Sequence, residues 1–377
     1  MKLVKLAKND DLDAQYNLAL CYQNGNGVEI NYKNALKWFL NSAEKGNKDS
    51  QFNLAIYYMD GLGIQKDEEK AFEWFLKSEQ NEHLVNQNKN ERDEFEKQLK
   101  FAIANNSTAQ NYLGYCYQYG KGIYNNEKKA FEWYLRSAVT GYAEGQCNLG
   151  NCYRLGKGID KDETKAFEWY LKSAIAGCAE GQCNLGNCYY YGKGIDKDDT
   201  KAFEWYLKAA EGEDAMAQNN LGGCYQLGKG ICKDATKAFE WYLKSAVAGC
   251  ALGQCNLGYC YYYGKGIDKD DTKAFEWYLK AAEGEVAAAQ NNLGNCYRLG
   301  KGIDKDETKA FEWYLKSSIA GCIQGQFNLG YCYQYGKGID KDETKAFEWY
   351  LKAAEGGNEL AQSKIEDYQF SKGIDKY

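Results

Sequence analysis

Residues Gly145–Glu180 read GQCNLGNCYRLGKGIDKDETKAFEWYLKSAIAGCAE, and this 36-residue unit decides the fold. It recurs along the chain, with Gln15, Gln51, Gln110, Gln146, Gln182, Gln218, Gln254, Gln290, Gln326 and Gln362 opening successive copies. The glutamines stand 36 residues apart throughout, except between Gln51 and Gln110, where the gap is 59. A fixed period of this size marks a stack of supersecondary units rather than one globular core.

Within the unit, Leu149, Cys152 and Tyr153 fall at i, i+3 and i+4, the apolar stripe of an amphipathic helix. That helix is expected to stop at Leu155–Gly156, where Gly156 takes a positive φ and Gly158 keeps the following turn loose. Asp162 stands where an N-cap belongs, and Glu163 puts negative charge in the first turn of a second helix. The capping column also reads Asn31, Asp67, Asn126, Asp198, Asp234, Asp270, Asp306 and Asp342. The second helix carries Ala166, Phe167, Trp169, Tyr170 and Ala174, an apolar arc wide enough to touch neighbours on two sides. Glu168 and Lys172 form an i,i+4 pair on what stays exposed, and Gly177 ends the helix. One hairpin cannot bury such an arc, so neighbouring copies must share it. The expected fold class is all-α, a solenoid of antiparallel helix pairs.

Composition narrows the function. There is no proline among the 377 residues, which suits helices joined by glycine turns. Net charge is −6 with both signs interleaved, and a nucleic-acid surface would want a basic stripe. No apolar run reaches the ~18–20 residues that span a bilayer. The opening MKLVKLAKNDD has too short an apolar stretch for a secretory signal, so the expected location is cytoplasmic.

The fifteen cysteines are organised by the period. Cys21, Cys116, Cys152, Cys188, Cys224, Cys260, Cys296 and Cys332 share one column of the first helix. Cys147, Cys183 and Cys255 share a second, Cys178, Cys250 and Cys322 a third, and Cys232 stands alone. Spacings of five, as in Cys178, Cys183 and Cys188, scatter thiols around a helix. With no CxxC and His83 as the one histidine, a zinc site is not supported, and the thiols read as reduced packing residues. No cofactor is expected.

The period also divides the chain. Residues 1–14 align with the end of a second helix and read as a half-repeat cap, and residues 15–78 are repeats one and two. Residues 79–101 are an insert, in which 80–90 read as a mobile loop. Phe95, Leu99 and Ala102, at i, i+4 and i+7, make its second half a helix extension. Residues 102–360 hold the remainder of repeat two and repeats three to nine, and 361–377 a capping helix with its tail.

Catalytic and ligand motifs fail on inspection. From Gly150 to Gly156 and Lys157 the spacing approaches a phosphate loop, but Gly158 stands where Ser or Thr should hold magnesium. Asp160–Thr164 opens like a calcium loop yet lacks the later glycine and the closing glutamate, so capping explains it better. Asn106-Ser107-Thr108 is a glycosylation sequon with no sign of secretion beside it. No nucleophile–base pair is distinguished, and the chain reads as a non-enzyme.

The pattern Ala-Gln-x-x-Leu-Gly-x-x-Tyr-x-x-Gly-x-Gly-Ile, followed by Asp-x-x-Lys-Ala-x-x-Trp-Tyr-x-Lys-Ala-Ala, runs through Asn111–Ala138, Asn219–Ala246 and Asn291–Leu315. It resembles the Sel-one-like repeat, a relative of the tetratricopeptide repeat, over nearly the whole chain. The resemblance implies a right-handed α/α superhelix whose first helices line a concave face. It also implies an adaptor that assembles protein complexes, as members do in endoplasmic-reticulum degradation, signalling and bacterial–host contact.

If the first helices line that face, the columns of Cys147, Asn151, Arg154 and Leu155 should point inward. The candidate partner-binding residues are then Tyr115, Gln118, Asn151, Arg154, Asn187, Tyr190, Gln226, Tyr259, Tyr262, Asn295, Arg298, Tyr331 and Gln334. Amides suit an extended peptide's backbone, aromatics cover its side chains, and Arg pairs an acidic group. Tyr16, Leu20, Phe52, Ile56 and Met59 make the first two copies apolar, a candidate sub-site. Either a hydrophobic ligand segment lies there, or Leu84, Val85 and Phe95 of the insert fold back over it. The expected function is a scaffold for a protein or peptide partner. The alternative is a regulatory subunit that positions or activates an enzyme on another chain.

Overall fold

The computed structural model describes residues 2–79 and 89–371. Among them are twenty-one α-helices and no strand. In chain order they are α1 (Lys2–Lys8), α2 (Leu12–Asn24), α3 (Tyr32–Glu44), α4 (Lys48–Asp60), α5 (Glu68–Ser78), α6 (Lys89–Ile103) and α7 (Ser107–Tyr119). There follow α8 (Glu127–Val139), α9 (Ala143–Leu155), α10 (Glu163–Ile175), α11 (Ala179–Tyr191), α12 (Asp199–Glu211), α13 (Ala215–Leu227) and α14 (Ala235–Val247). The last are α15 (Ala251–Tyr263), α16 (Asp271–Glu283), α17 (Ala287–Leu299), α18 (Glu307–Ile319), α19 (Ile323–Tyr335), α20 (Glu343–Glu355) and α21 (Glu359–Ser371). The chain is an all-α solenoid of helix pairs, here called A and B, and it divides into two compact units, residues 1–181 and 182–377.

Each element has a local cause. Gly156 closes α9 in the left-handed region, and its backbone N–H returns to Cys152 O. Asp162 caps α10 by accepting the Lys165 backbone N–H at 2.9 Å. Asn31, Asp67, Asn126, Asp198, Asp234, Asp270, Asp306 and Asp342 make the same bond. The marker glutamine ties one copy to the last: Gln146 Nε2 donates to Ala138 O of the preceding B helix at 3.3 Å. Gln15, Gln51, Gln110, Gln218 and Gln254 do likewise to Ala7, Ala43, Ala102, Ala210 and Ala246.

Two expectations are corrected by packing. Gly158 is not a loosener. Its φ is +73°, and a Cβ there would come within 2.2 Å of Glu127 O, so the turn leans directly on the previous B helix. Lys172 does not pair with Glu168 among the described residues; its ammonium sits 3.9 Å from the Trp169 ring centroid. The same stack recurs at Trp205, Trp241, Trp277, Trp313 and Trp349. The core arc is therefore narrower than expected. Ala166, Tyr170 and Ala174 are buried, whereas Phe167 and Trp169 are half-buried.

The insert alters unit one. Repeat two is already complete with α5, so α6 is an added helix that takes a B position before α7. Phe95, Leu99 and Ala102 bury the face that their spacing predicts. Lys89 and Asn90, expected in a loop, are helical; the rest of that expected loop lies outside the described residues. At the ends, α2 begins at Leu12, three residues before the expected start of repeat one at Gln15, and α21 begins at Glu359.

With α6 in place, α8 reaches back to α4 and α5. Arg136 binds Asp60 through both guanidinium nitrogens at 2.9 and 2.7 Å, and Phe75 lies 5.4 Å from Trp133. Lys129 forms a buried ion pair with Glu79 at 2.5 Å, beneath which Phe52 lies 4.7 Å away.

Candidate functional site

The candidate face is built on the A helices, and its geometry starts with a buried tyrosine. Tyr134, Tyr170, Tyr206, Tyr242, Tyr278, Tyr314 and Tyr350 fill one B-helix column. Room for each ring comes from an A-helix glycine: a Cβ on Gly150 would meet Tyr170 Cδ1 at 2.7 Å. A buried phenol needs a hydrogen-bond partner, and the candidate residues supply it.

Two alternative acceptors serve this hydroxyl. Where the column of Asn151 holds an asparagine, that amide accepts: Tyr170 donates to Asn151 Oδ1 at 2.8 Å, Tyr206 to Asn187 at 2.8 Å and Tyr314 to Asn295 at 2.7 Å. Where that column holds Tyr115, Gly223 or Tyr331, the glutamine three residues on accepts instead. Tyr134 donates to Gln118 at 2.9 Å, Tyr242 to Gln226 at 2.5 Å and Tyr350 to Gln334 at 2.8 Å. Arg154 and Arg298 add a donor to the Tyr170 and Tyr314 oxygens at 3.0 and 3.1 Å. In the copy with Tyr259 and Tyr262 neither amide is present, and the Tyr262 ring lies 6.3 Å from Tyr278. Much of the variation along this face is thus compensated internally. In six of the seven copies the loss of an amide in one column is answered by an amide one turn away.

The four expected columns do not share one surface. Cys147, Cys183, Cys255, Asn219 and Asn291 are buried, so that column is corrected from groove lining to lateral contact between A helices. Asn148 Nδ2 donates to Asn111 Oδ1 at 2.9 Å, Asn256 to Asn219 at 2.8 Å and Asn328 to Asn291 at 2.8 Å. The column of Leu155 is open in every copy from three to nine: Tyr119, Leu155, Tyr191, Leu227, Tyr263, Leu299 and Tyr335 are all exposed, Tyr191 at 63%. The tyrosines of this column were missed as site residues. Their rings pack tilted or edge-on against candidates already named, Tyr119 against Tyr115 at 4.8 Å, Tyr191 against Tyr190 at 4.9 Å, Tyr263 against Tyr259 at 4.6 Å and Tyr335 against Tyr331 at 4.6 Å. The signal was present in the strict Leu/Tyr choice at the last position of the A helix.

The apolar sub-site is largely closed. Phe52 and Met59 are buried, while Tyr16, Leu20 and Ile56 stay half-buried. Phe95 lies in the same apolar cluster as Phe52 and Met59, and α8 contributes Trp133. Leu84 and Val85, the other expected cover, lie outside the described residues, as does His83. Beside this cluster Glu132 has a buried Oε2 with no hydrogen-bond partner, and burial raises its carboxyl to about 7 against the pull of Arg136 and Lys129.

No group of His, Cys, Asp or Glu among the described residues is placed to hold a metal ion, and no described helix is long and apolar enough to cross a membrane. The family profile described as Sel1 repeat matches residues 12–47, 48–83, 107–138, 143–178, 179–214, 215–250, 251–285, 287–322 and 323–358. Among solved structures, the chain is similar to c5321, a protective antigen of uropathogenic Escherichia coli with an SLR fold. Identity is 31%, the TM-score is 0.66, and the match covers 98% of this chain and 82% of that one. It is also similar to a Sel1 repeat protein from Oxalobacter formigenes, with 26% identity, a TM-score of 0.57, and coverage of 88% and 90%. Among curated proteins no sequence matches the chain.

Proposed function

We propose, for a chain that belongs to the Sel1 repeat family, a non-catalytic scaffold that binds an extended segment of a partner protein along its A-helix face. Proteins of this family are generally protein-interaction scaffolds. The observation that carries the finer reading is the open Leu/Tyr column, which repeats on consecutive A helices and leaves large apolar side chains in water.

The polar residues beside it set the partner's chemistry. The buried tyrosines consume the amide oxygens of Asn187, Asn295, Gln118, Gln226 and Gln334. Those amides keep N–H donors for a partner, and Arg154 and Arg298 offer only donors. A face of donors and aromatic rings suits a segment that presents backbone carbonyls, carboxylates and apolar side chains.

The test is affinity capture with the full chain, followed by cross-link mapping of whatever binds. A variant carrying Tyr191→Ser, Leu227→Ser, Tyr263→Ser and Leu299→Ser spares every buried tyrosine and its acceptor. It should keep its helicity and lose at least tenfold in affinity for that partner. A control with Val247→Ser and Ile319→Ser, both exposed on B helices, should bind as the wild type does. Retention by the first variant and loss by the second would move the site to the B helices.

A further inference from the structure

Stacking brings together two thiols of unit one that neither fill the tyrosine layer nor belong to the open A-helix face. Cys178 immediately precedes α11 and is half-buried; Cys147 is a buried residue of α9. A side chain at this N-cap position lies against the A helix of the preceding copy. Asn47 Nδ2 donates to Asp13 Oδ1 at 3.4 Å, Asn358 Nδ2 to Gln324 Oε1 at 3.5 Å, and Tyr142 shares a hydrogen bond with Thr108. By the same offset of 34 residues Cys178 faces Glu144, and Cys147 lies one turn further along that helix face. The Cys178 sulfur is within hydrogen-bonding reach of the Cys147 thiol and of the Gly181 backbone N–H, and the Ser173 hydroxyl, which donates to Ala143 O at 2.7 Å, lies beside it. These donors outweigh burial and the Glu144 charge, with the Cys147 contact the largest, and they lower the Cys178 thiol to about 6.

We propose that Cys178 and Cys147 form a peroxide-sensitive dithiol, in which Cys178 is the attacking thiolate, Cys147 the resolving thiol, and the product a disulfide between α9 and the turn before α11. In the first step the Cys178 sulfur bonds to one peroxide oxygen, the O–O bond breaks, and the departing hydroxide takes a proton to leave as water. Cys178 is now a sulfenic acid. In the second step the Cys147 sulfur gives up its proton, attacks the sulfenic sulfur and forms the S–S bond, while the sulfenic oxygen leaves as a second water. The two thiols lose two electrons and two protons, and one hydrogen peroxide becomes two waters.

The repeats supply internal controls. Cys250 and Cys322 are N-caps in the same place, but the residues corresponding to Cys147 are Asn219 and Asn291. Where the Cys147 column holds Cys183 or Cys255, the N-cap is Asp214 or Val286. Along the sequence these two columns are both cysteine in one copy alone.

The experiment exposes the full chain to less than one equivalent of hydrogen peroxide, blocks remaining thiols by alkylation, and maps peptides by mass spectrometry. A Cys147–Cys178 linked peptide should form first. In Cys147→Ser, dimedone should trap a sulfenic acid at Cys178, and in Cys178→Ser neither adduct nor link should appear. Serine is itself a good N-cap, so Cys178→Ser keeps the helix start. Iodoacetamide should label Cys178 with a midpoint near pH 6, and at pH 7 about threefold faster than an ordinary thiol, because the gain in thiolate is partly offset by weaker nucleophilicity. Equal dimedone labelling of Cys178, Cys250 and Cys322, or links that join Cys178 to other cysteines, would overturn the proposal.

Discussion

The hydroxyl of Tyr206, buried on α12, donates to Oδ1 of Asn187 on α11 at 2.8 Å. This bond crosses from the B helix to the A helix of one repeat, and it gives a residue expected to greet a partner a duty inside the fold. Six of the seven buried tyrosines of the column find an amide in this way, from one of two positions a turn apart.

A double-mutant cycle on this pair measures the inner duty. Asn187→Ala strands a buried hydroxyl and should cost about 1–3 kcal/mol, whereas Tyr206→Phe removes the donor and should cost about 1 kcal/mol. The double variant should recover part of the sum, with a coupling of about 0.5–1 kcal/mol. Thermal unfolding and hydrogen exchange in α11–α12 read this directly. Strict additivity would mean the bond contributes nothing to stability.

The glycine beneath each ring should tolerate no methyl group. A Cβ on Gly222 would lie 2.7 Å from Tyr242 Cδ1, inside a packed layer. Gly222→Ala should destabilise by about 1–3 kcal/mol through overpacking. Gly249 is the contrast: its φ is +88° and no atom lies within 4 Å of an added Cβ, so Gly249→Ala should cost only about 1 kcal/mol of backbone strain. Calorimetry on both variants should rank them in that order.

Unit one should lose stability as pH rises through the titration of Glu132. Burial raises this carboxyl from 4.5 to about 7, so between those values the folded chain holds a proton that the unfolded chain has released. Stability therefore falls across that window and the full cost stands above pH 7. The shift corresponds to about 3 kcal/mol. Glu132→Gln should stabilise unit one by that order at pH 8 and give no gain at pH 4.5, as followed by hydrogen exchange in α8. An equal gain at both values would show that the carboxyl ionises normally.

Much of this architecture was legible in the primary structure because its determinants are local. Asp162 and its column specify helix starts, Gly156 specifies a stop, and a fixed period requires that the same solution recur. The open Leu/Tyr column was legible as well: Leu155 marked it as inward-pointing, and Tyr191 and Leu227 occupy the same position in successive copies. Its tyrosines were nevertheless not named among the site residues. The structural role of Asn151 and Gln118 as acceptors for a buried tyrosine was harder. Two columns three residues apart must be compared copy by copy before their exchange is visible, and even then the hydroxyl they serve lies on another helix.

Residues that act within one turn of helix or one repeat declared themselves without coordinates: the caps, the turn glycines, the aromatic B-helix arc and the family they define. Three-dimensional packing settled which of them are covered. Phe52 and Met59 became core because α6 and α8 closed over them, Cys147 turned against a neighbouring A helix, and Lys172 chose an indole over a carboxylate. Those outcomes depend on distances between segments far apart in the chain, and a linear pattern carries periodicity but not proximity.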